Sequence, residues 1–166
     1  MPYGTGSGSP LHFKFRLDNL TSDARIVIVE GVLKADVFSA IHPELYIVAT
    51  PCVTANHRAL VELTHGRQVL TAFDQDFYEN EAVCFHLASL IARRLRQERT
   101  LATTRIASWD AGVKGIDDAA VRNLPITSIS VQRWLNRLSP RFRQVAMARL
   151  SEIAAFPSSE REMSFN

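Results

Sequence analysis

Acidic residues close several of the apolar runs in this chain. The run RIVIV (residues 25–29) leads into Glu30 and Gly31, QVLTAF (68–73) leads into Asp74-Gln75-Asp76, and TRIASW (104–109) leads into Asp110. Carboxylates gathered at one sheet edge repel one another where little water screens them, so a positive group is expected among them. Oxygen ligands in this number, with no His or Cys in the set, favour Mg²⁺ or Mn²⁺ over zinc. Such an ion can bridge to phosphate oxygens, stabilise charge developing on them and lower the pKa of a bound hydroxyl or water. Gly31, lacking Cβ, lets backbone or phosphate come close to Glu30. The ordinary alternative for each acid taken singly is a helix N-cap or a partner for a helix dipole. The three together, after successive buried strands, favour the site.

The elements that must position these acids follow from the periodicity. RIVIVE (25–30), LYIVAT (45–50), QVLTAF and TRIASW are rich in β-branched and apolar residues, the pattern of strands covered on both faces. Between them GVLKADVFSAI (31–41) has helical spacing at Val32, Leu33, Val37 and Ile41, HRALVELTHG (57–66) is a short helix closed by Gly66, and residues 78–99 form a long one. Strand and helix in alternation predict an α/β fold with a mostly parallel four-stranded sheet flanked by helices. In such a sheet ligands bind beyond the carboxyl ends of the strands, where these acids fall. LHFKFRL (11–17) alternates as an extra N-terminal edge strand, and Val131–Leu138 and Phe142–Phe156 read as two C-terminal helices. The expected organisation is a flexible tail over 1–10, one domain over 11–128, a helical extension over 129–156 and a second tail over 157–166.

Composition narrows the class without naming the reaction. A chain of 166 residues that is 46% hydrophobic supports one sizeable core, and a formal charge of +2 permits a nucleic-acid partner without requiring one. Cys52 and Cys84 have no paired spacing, so neither a disulfide framework nor a zinc knuckle is indicated. No apolar run reaches the roughly 20 residues of a membrane span, and the Gly- and Ser-rich N-terminus lacks the apolar stretch of a signal peptide. A soluble cytoplasmic protein is expected.

The pairing of IVIVEG (26–31) with AFDQD (72–76) resembles the Toprim domain shared by bacterial primases, topoisomerases, OLD-family nucleases and recombination proteins. EGVLKAD (30–36), FDQDFYENEAV (73–83) and WDAGVKGIDD (109–118) are most similar to the Toprim-like family DUF3854, found beside primase or helicase modules in plasmid and phage replication proteins. The resemblance covers about residues 24–124 and implies a Toprim fold. It also implies that Glu30 is a metal ligand or general acid/base, with Asp74 and Asp76 holding Mg²⁺ or Mn²⁺. Lys34 and Lys114 would face phosphates, and Asp110, Asp117 and Asp118 would be accessory acids. DNA or RNA, with a helicase or primase partner, would be the binding class. The function implied is primase-like nucleotidyl transfer in the replication of a mobile element; the alternatives are a non-catalytic DNA- or partner-binding module and an OLD-like nuclease. Phe77 and Tyr78 follow Asp76 where primases place a small residue and glycine.

Two further features bear on a nucleic-acid partner. Arg93, Arg94, Arg96 and Arg99 crowd the end of the long helix, and Arg133, Arg137, Arg141, Arg143 and Arg149 recur through the C-terminal helices. They would support a nucleic-acid strand, or else they are dipole partners and solvated faces. Trp134, Leu138, Phe142, Val145 and Leu150 read as packing residues. His12, His42, His57, His65 and His86 lack ligand spacing and receive no role.

Overall fold

The computed structural model describes residues 10–110 and 112–155, the side chains of 154 and 155 excepted. Both expected tails, apart from Pro10, lie outside the described residues. The chain forms an α/β fold with a mixed six-stranded sheet in the order β1-β3-β2-β4-β5-β6. Its strands are β1 (His12–Phe13), β2 (Arg25–Glu30), β3 (Tyr46–Thr50), β4 (Gln68–Ala72), β5 (Thr104–Ser108) and β6 (Thr127–Ser130). The central four pair in parallel, while β1 pairs antiparallel to β3 and β6 antiparallel to β5.

The helices are α1 (Val32–Ile41), α2 (His57–Leu63), α3 (Glu81–Glu98), α4 (Ile116–Val121), α5 (Val131–Arg137) and α6 (Pro140–Ala155). On one face of the sheet Val27, Val29 and Ile47 pack with Ala35 and Phe38 of α1 and Ile116, Ala119 and Ala120 of α4. On the other face Ile26, Ile28, Val48 and Ile106 meet Leu60 of α2, Leu87, Leu90 and Ile91 of α3, Trp134 of α5 and Ala146 and Leu150 of α6. This double cover explains why β2 to β5 read as continuous apolar runs. The C-terminal helices therefore complete the second layer, and Trp134, fully buried, is a packing residue.

Several details differ from the sequence-based expectation. The N-terminal strand is at the sheet edge as expected but spans two residues, because the chain bends at Lys14 and Phe15 ahead of a 3₁₀ helix at Leu17–Asn19. The strand β6 was not foreseen: in TSIS only Ile129 is buried, so no apolar run marks it. The long helix begins at Glu81 rather than Tyr78, because Asn80 caps it by accepting from Ala82 N at 3.0 Å and Val83 N at 3.4 Å. Before the cap, Gln75–Tyr78 form a 3₁₀ turn. In α1 the apolar stripe faces outward. Leu33 is 80% exposed and Val32, Val37 and Ile41 are exposed too, whereas Ala35 and Phe38 are buried.

Candidate functional site at the carboxyl edge of the sheet

The chain runs from β2 to β3 on one side, then crosses past β2 to β4 on the other, so the strand order reverses between β2 and β4. A crevice opens at such a switch point beyond the carboxyl ends of the two strands. Glu30 is the last residue of β2, and Asp74 follows β4 by two positions at the head of the 3₁₀ turn. The parallel register sets Val29 beside Ala72, which brings the two acid-bearing ends together. At the junction Gly31 has φ of 90°, a conformation that suits glycine, and its N–H donates to Thr50 O at 2.8 Å.

Two lysines enter this edge from different elements. Lys34, in the first turn of α1, directs its ammonium to Asp74 Oδ1. Lys114, in the loop before α4, lies 3.0 Å from Asp76 Oδ2 and 3.6 Å from Asp74 Oδ2. The side chain of Asp74 is 8% exposed and those of Lys34 and Lys114 are 28% and 64% exposed, so the first pair is the sheltered one. Bonds that hold the Lys114 loop include those from Gln75 N to Lys114 O at 3.1 Å and from Trp109 Nε1 to Val113 O at 2.8 Å. The Asp76 carboxylate raises the Lys114 pKa above the usual lysine value.

Glu30 is half-buried and makes no hydrogen bond or ion pair with a described residue. Burial first, and the Asp74 carboxylate second, push its pKa up, with Lys34 opposing. A carboxyl so placed accepts and returns a proton nearer neutrality than an ordinary Glu.

The remaining sequence candidates divide. Asp117 belongs to the cluster: its carboxylate folds over Gly115, where a Cβ would sit 2.3 Å from Asp117 Oδ1 and 3.5 Å from Lys34 Cε. Asp110 does not, since it is exposed and accepts from Gly112 N at 2.8 Å within its own loop. Asp118 is exposed on α4. Gln75, passed over as the middle of Asp-x-Asp, is buried, and its Nε2 has no hydrogen-bond partner.

The donor chemistry fits a hard divalent cation. Asp76 Oδ1 and Asp117 Oδ1 are both buried with no hydrogen-bond partner, so acceptor capacity goes unused at this edge. Among the described residues, however, no three His, Cys, Asp or Glu side chains stand grouped as a ready cage. The positive charge expected among the acids is supplied by Lys34 and Lys114. No family model matches the chain, and neither curated proteins nor solved structures give a significant match.

The basic residues of the helices are largely committed to structure. Arg94 is fully buried, donating to Thr104 Oγ1, Thr64 O and Arg67 O at 3.0 Å each, which removes it from any surface. Burial lowers its pKa to about 10. Arg143 closes the end of α5 through Leu135 O and Asn136 O at 2.8 Å, Arg137 donates to Ser108 Oγ at 2.9 Å, and Arg141 pairs with Glu81. No helix among the described residues is long and apolar enough to cross a membrane.

Proposed function

We propose that this chain is a Toprim-like domain whose carboxyl-edge acids hold Mg²⁺ or Mn²⁺ and serve nucleic-acid phosphoryl or nucleotidyl transfer, in a primase-like role within the replication system of a mobile element. The observation that carries the reading is the convergence of Glu30, Asp74, Asp76, Lys34 and Lys114 at the strand-order switch. Glu30, Asp74 and Asp76 would hold the cation, with Asp117 able to contribute its unpartnered oxygen. When bound, the ion would neutralise charge developing on phosphate oxygens. In the alternative role, off the ion, Glu30 with its raised pKa is suited to take the proton from an attacking hydroxyl and return it to a leaving oxygen. Lys114, largely exposed, has the reach to leave Asp76 for a phosphate oxygen. Lys34 neutralises Asp74 before the cation arrives and would have to yield.

The test is calorimetric titration with Mg²⁺ and Mn²⁺ of the wild-type chain and of Asp74→Asn/Asp76→Asn, followed by assays of primer synthesis and single-strand cleavage. Metal binding that the double substitution abolishes, together with turnover, is the expected result. Absence of metal binding, or unchanged processing in the double variant, refutes it. A second reading, a non-catalytic module that holds DNA, helicase or primase, is favoured by the ion pairs that already balance Asp74 and Asp76. Primer synthesis by the isolated chain excludes that reading, and cleavage without nucleotide incorporation indicates an OLD-like nuclease.

A further inference from the structure

A second cleft, sharing no residue with the acid edge, lies where α2, α3 and α6 meet. It encloses about 290 Å³, at the lower end of the ligand-sized range, and its lining includes His57, His86, Arg93, Arg149, Thr54 and Ser89. Among the described residues no carboxylate lines it. We propose that this cleft is a phosphate-binding site, formed by His57 of α2, Arg93 and His86 of α3, and Arg149 of α6.

The parts are held in place for that role. Arg149 lies over the Phe85 ring, its guanidinium carbon 4.7 Å from the centroid, and donates from Nε to Ser89 Oγ at 2.8 Å and from Nη1 to Glu152 Oε2 at 2.7 Å. Its Nη2 has no hydrogen bond to a described residue, which leaves that end of the fixed guanidinium to donate to a phosphate oxygen. His57 Nε2 lies 2.6 Å from Val53 O; donation there leaves Nδ1 to face a ligand. The two imidazoles stand edge to face with centroids 6.3 Å apart.

The charges around the cleft are unbalanced toward positive. From α2 come His57 and Arg58, the latter paired with Glu62 at 2.8 Å. From α3 come His86 and Arg93, and Arg93 has no hydrogen bond or ion pair with a described residue. From α6 comes Arg149, offset in part by the half-exposed Glu152. Burial holds both histidines below the usual range, and Arg93, His86 and Arg149 add to this for His57, as Arg149 does for His86. An anion between them reverses those repulsions and draws protons onto the rings, so binding, once phosphate's own protonation is allowed for, should tighten as pH falls through the range where the rings take up protons. The source of the phosphate can be a free ion or the backbone of a nucleic acid.

The experiment titrates inorganic phosphate, at constant ionic strength set with chloride, into the ¹⁵N-histidine-labelled full chain, with calorimetry at two pH values. The expected result is movement of the His57 and His86 ring signals, tighter binding at the lower pH once phosphate's own protonation is allowed for, and a loss of about tenfold in Arg93→Gln. Arg93 is exposed and bonded to no described residue, so this variant should fold, and His86→Gln should flatten the pH dependence. Competition by a short single-stranded oligonucleotide assigns the site to a nucleic-acid backbone; its absence assigns it to free phosphate or a phosphomonoester. Unmoved His57 and His86 signals, or undiminished binding in Arg93→Gln, overturns the proposal.

Discussion

Replacing Lys34 by Met tests whether the acid edge is organised around an ammonium. Methionine keeps the apolar stem, which matters because that stem passes Gly31 and Gly115 at contact distance: a Cβ on those residues would meet Lys34 Cγ at 3.9 Å and Cε at 3.5 Å. What the substitution removes is the charge facing Asp74, whose side chain is 8% exposed. Breaking a fully buried pair costs roughly 3–5 kcal/mol. Here Lys34 is 28% exposed and Lys114 stands 3.6 Å from the other Asp74 oxygen, so part of the loss is made good. A destabilisation of about 2 kcal/mol follows, which for a chain of this size lowers Tm by roughly 4–8 °C. Urea and thermal unfolding of Lys34→Met, Asp74→Asn and the double variant would measure it, and in the Asp74→Asn background the Lys34 substitution should cost under about 0.5 kcal/mol. If the acids hold a cation, Mg²⁺ should stabilise Lys34→Met more than wild type, by up to about 2.7 kcal/mol at a hundredfold excess over Kd. A Lys34→Met chain as stable as wild type without metal would refute the reasoning, because Asp74 would then be sheltered by something other than this lysine.

Further outcomes are expected elsewhere. Glu30→Gln should raise Tm at neutral pH while abolishing the proposed turnover: a carboxyl whose folded pKa is raised opposes folding when ionised, so the gain should fade as pH falls through the raised value and vanish below the ordinary value of 4.5, as melts across pH would show. Arg94→Met takes the Arg94 donors from Arg67 O, Thr104 Oγ1 and Thr64 O, of which Thr64 O keeps Arg67 N, and should cost about 3 kcal/mol in urea unfolding, with no change in oligonucleotide affinity. Trp134→Phe should cost under about 1.5 kcal/mol, because the buried Nε1 it removes has no hydrogen-bond partner and offsets part of the lost packing.

The sequence made the four parallel strands legible because helices cover both of their faces, and the positions of Glu30 and Asp74 followed from the strand ends. What escaped it depends on contacts remote along the chain. The stripe Leu33, Val37 and Ile41 has the right period, but α1 is apolar nearly all round, and which side meets the sheet is decided by Ala35 and Phe38 packing against the distant α4. The strand β6 has too few buried residues to show a pattern. At the site, the acids announced a missing positive charge, while the lysines that supply it arrive from α1 and from a loop 38 residues beyond Asp76, a pairing no local spacing encodes. Arg94 looked like its surface neighbours until the α3 face was set, and the histidines of the second cleft are adjacent only across helices.

The residues of the acid edge hang from three stretches of backbone: the junction of β2 and α1, the turn after β4, and the loop before α4 with that helix's first turn. None can be brought to the others until the parallel strands between them have paired, so the site is a product of long-range closure. No fragment that stops at the end of α3 would carry Lys114 or Asp117, and a partly folded chain would present scattered carboxylates with no shared field. Trp109, buried and bonded to Val113 O at the base of that last loop, turns this dependence into a signal: its fluorescence would report the moment the edge closes.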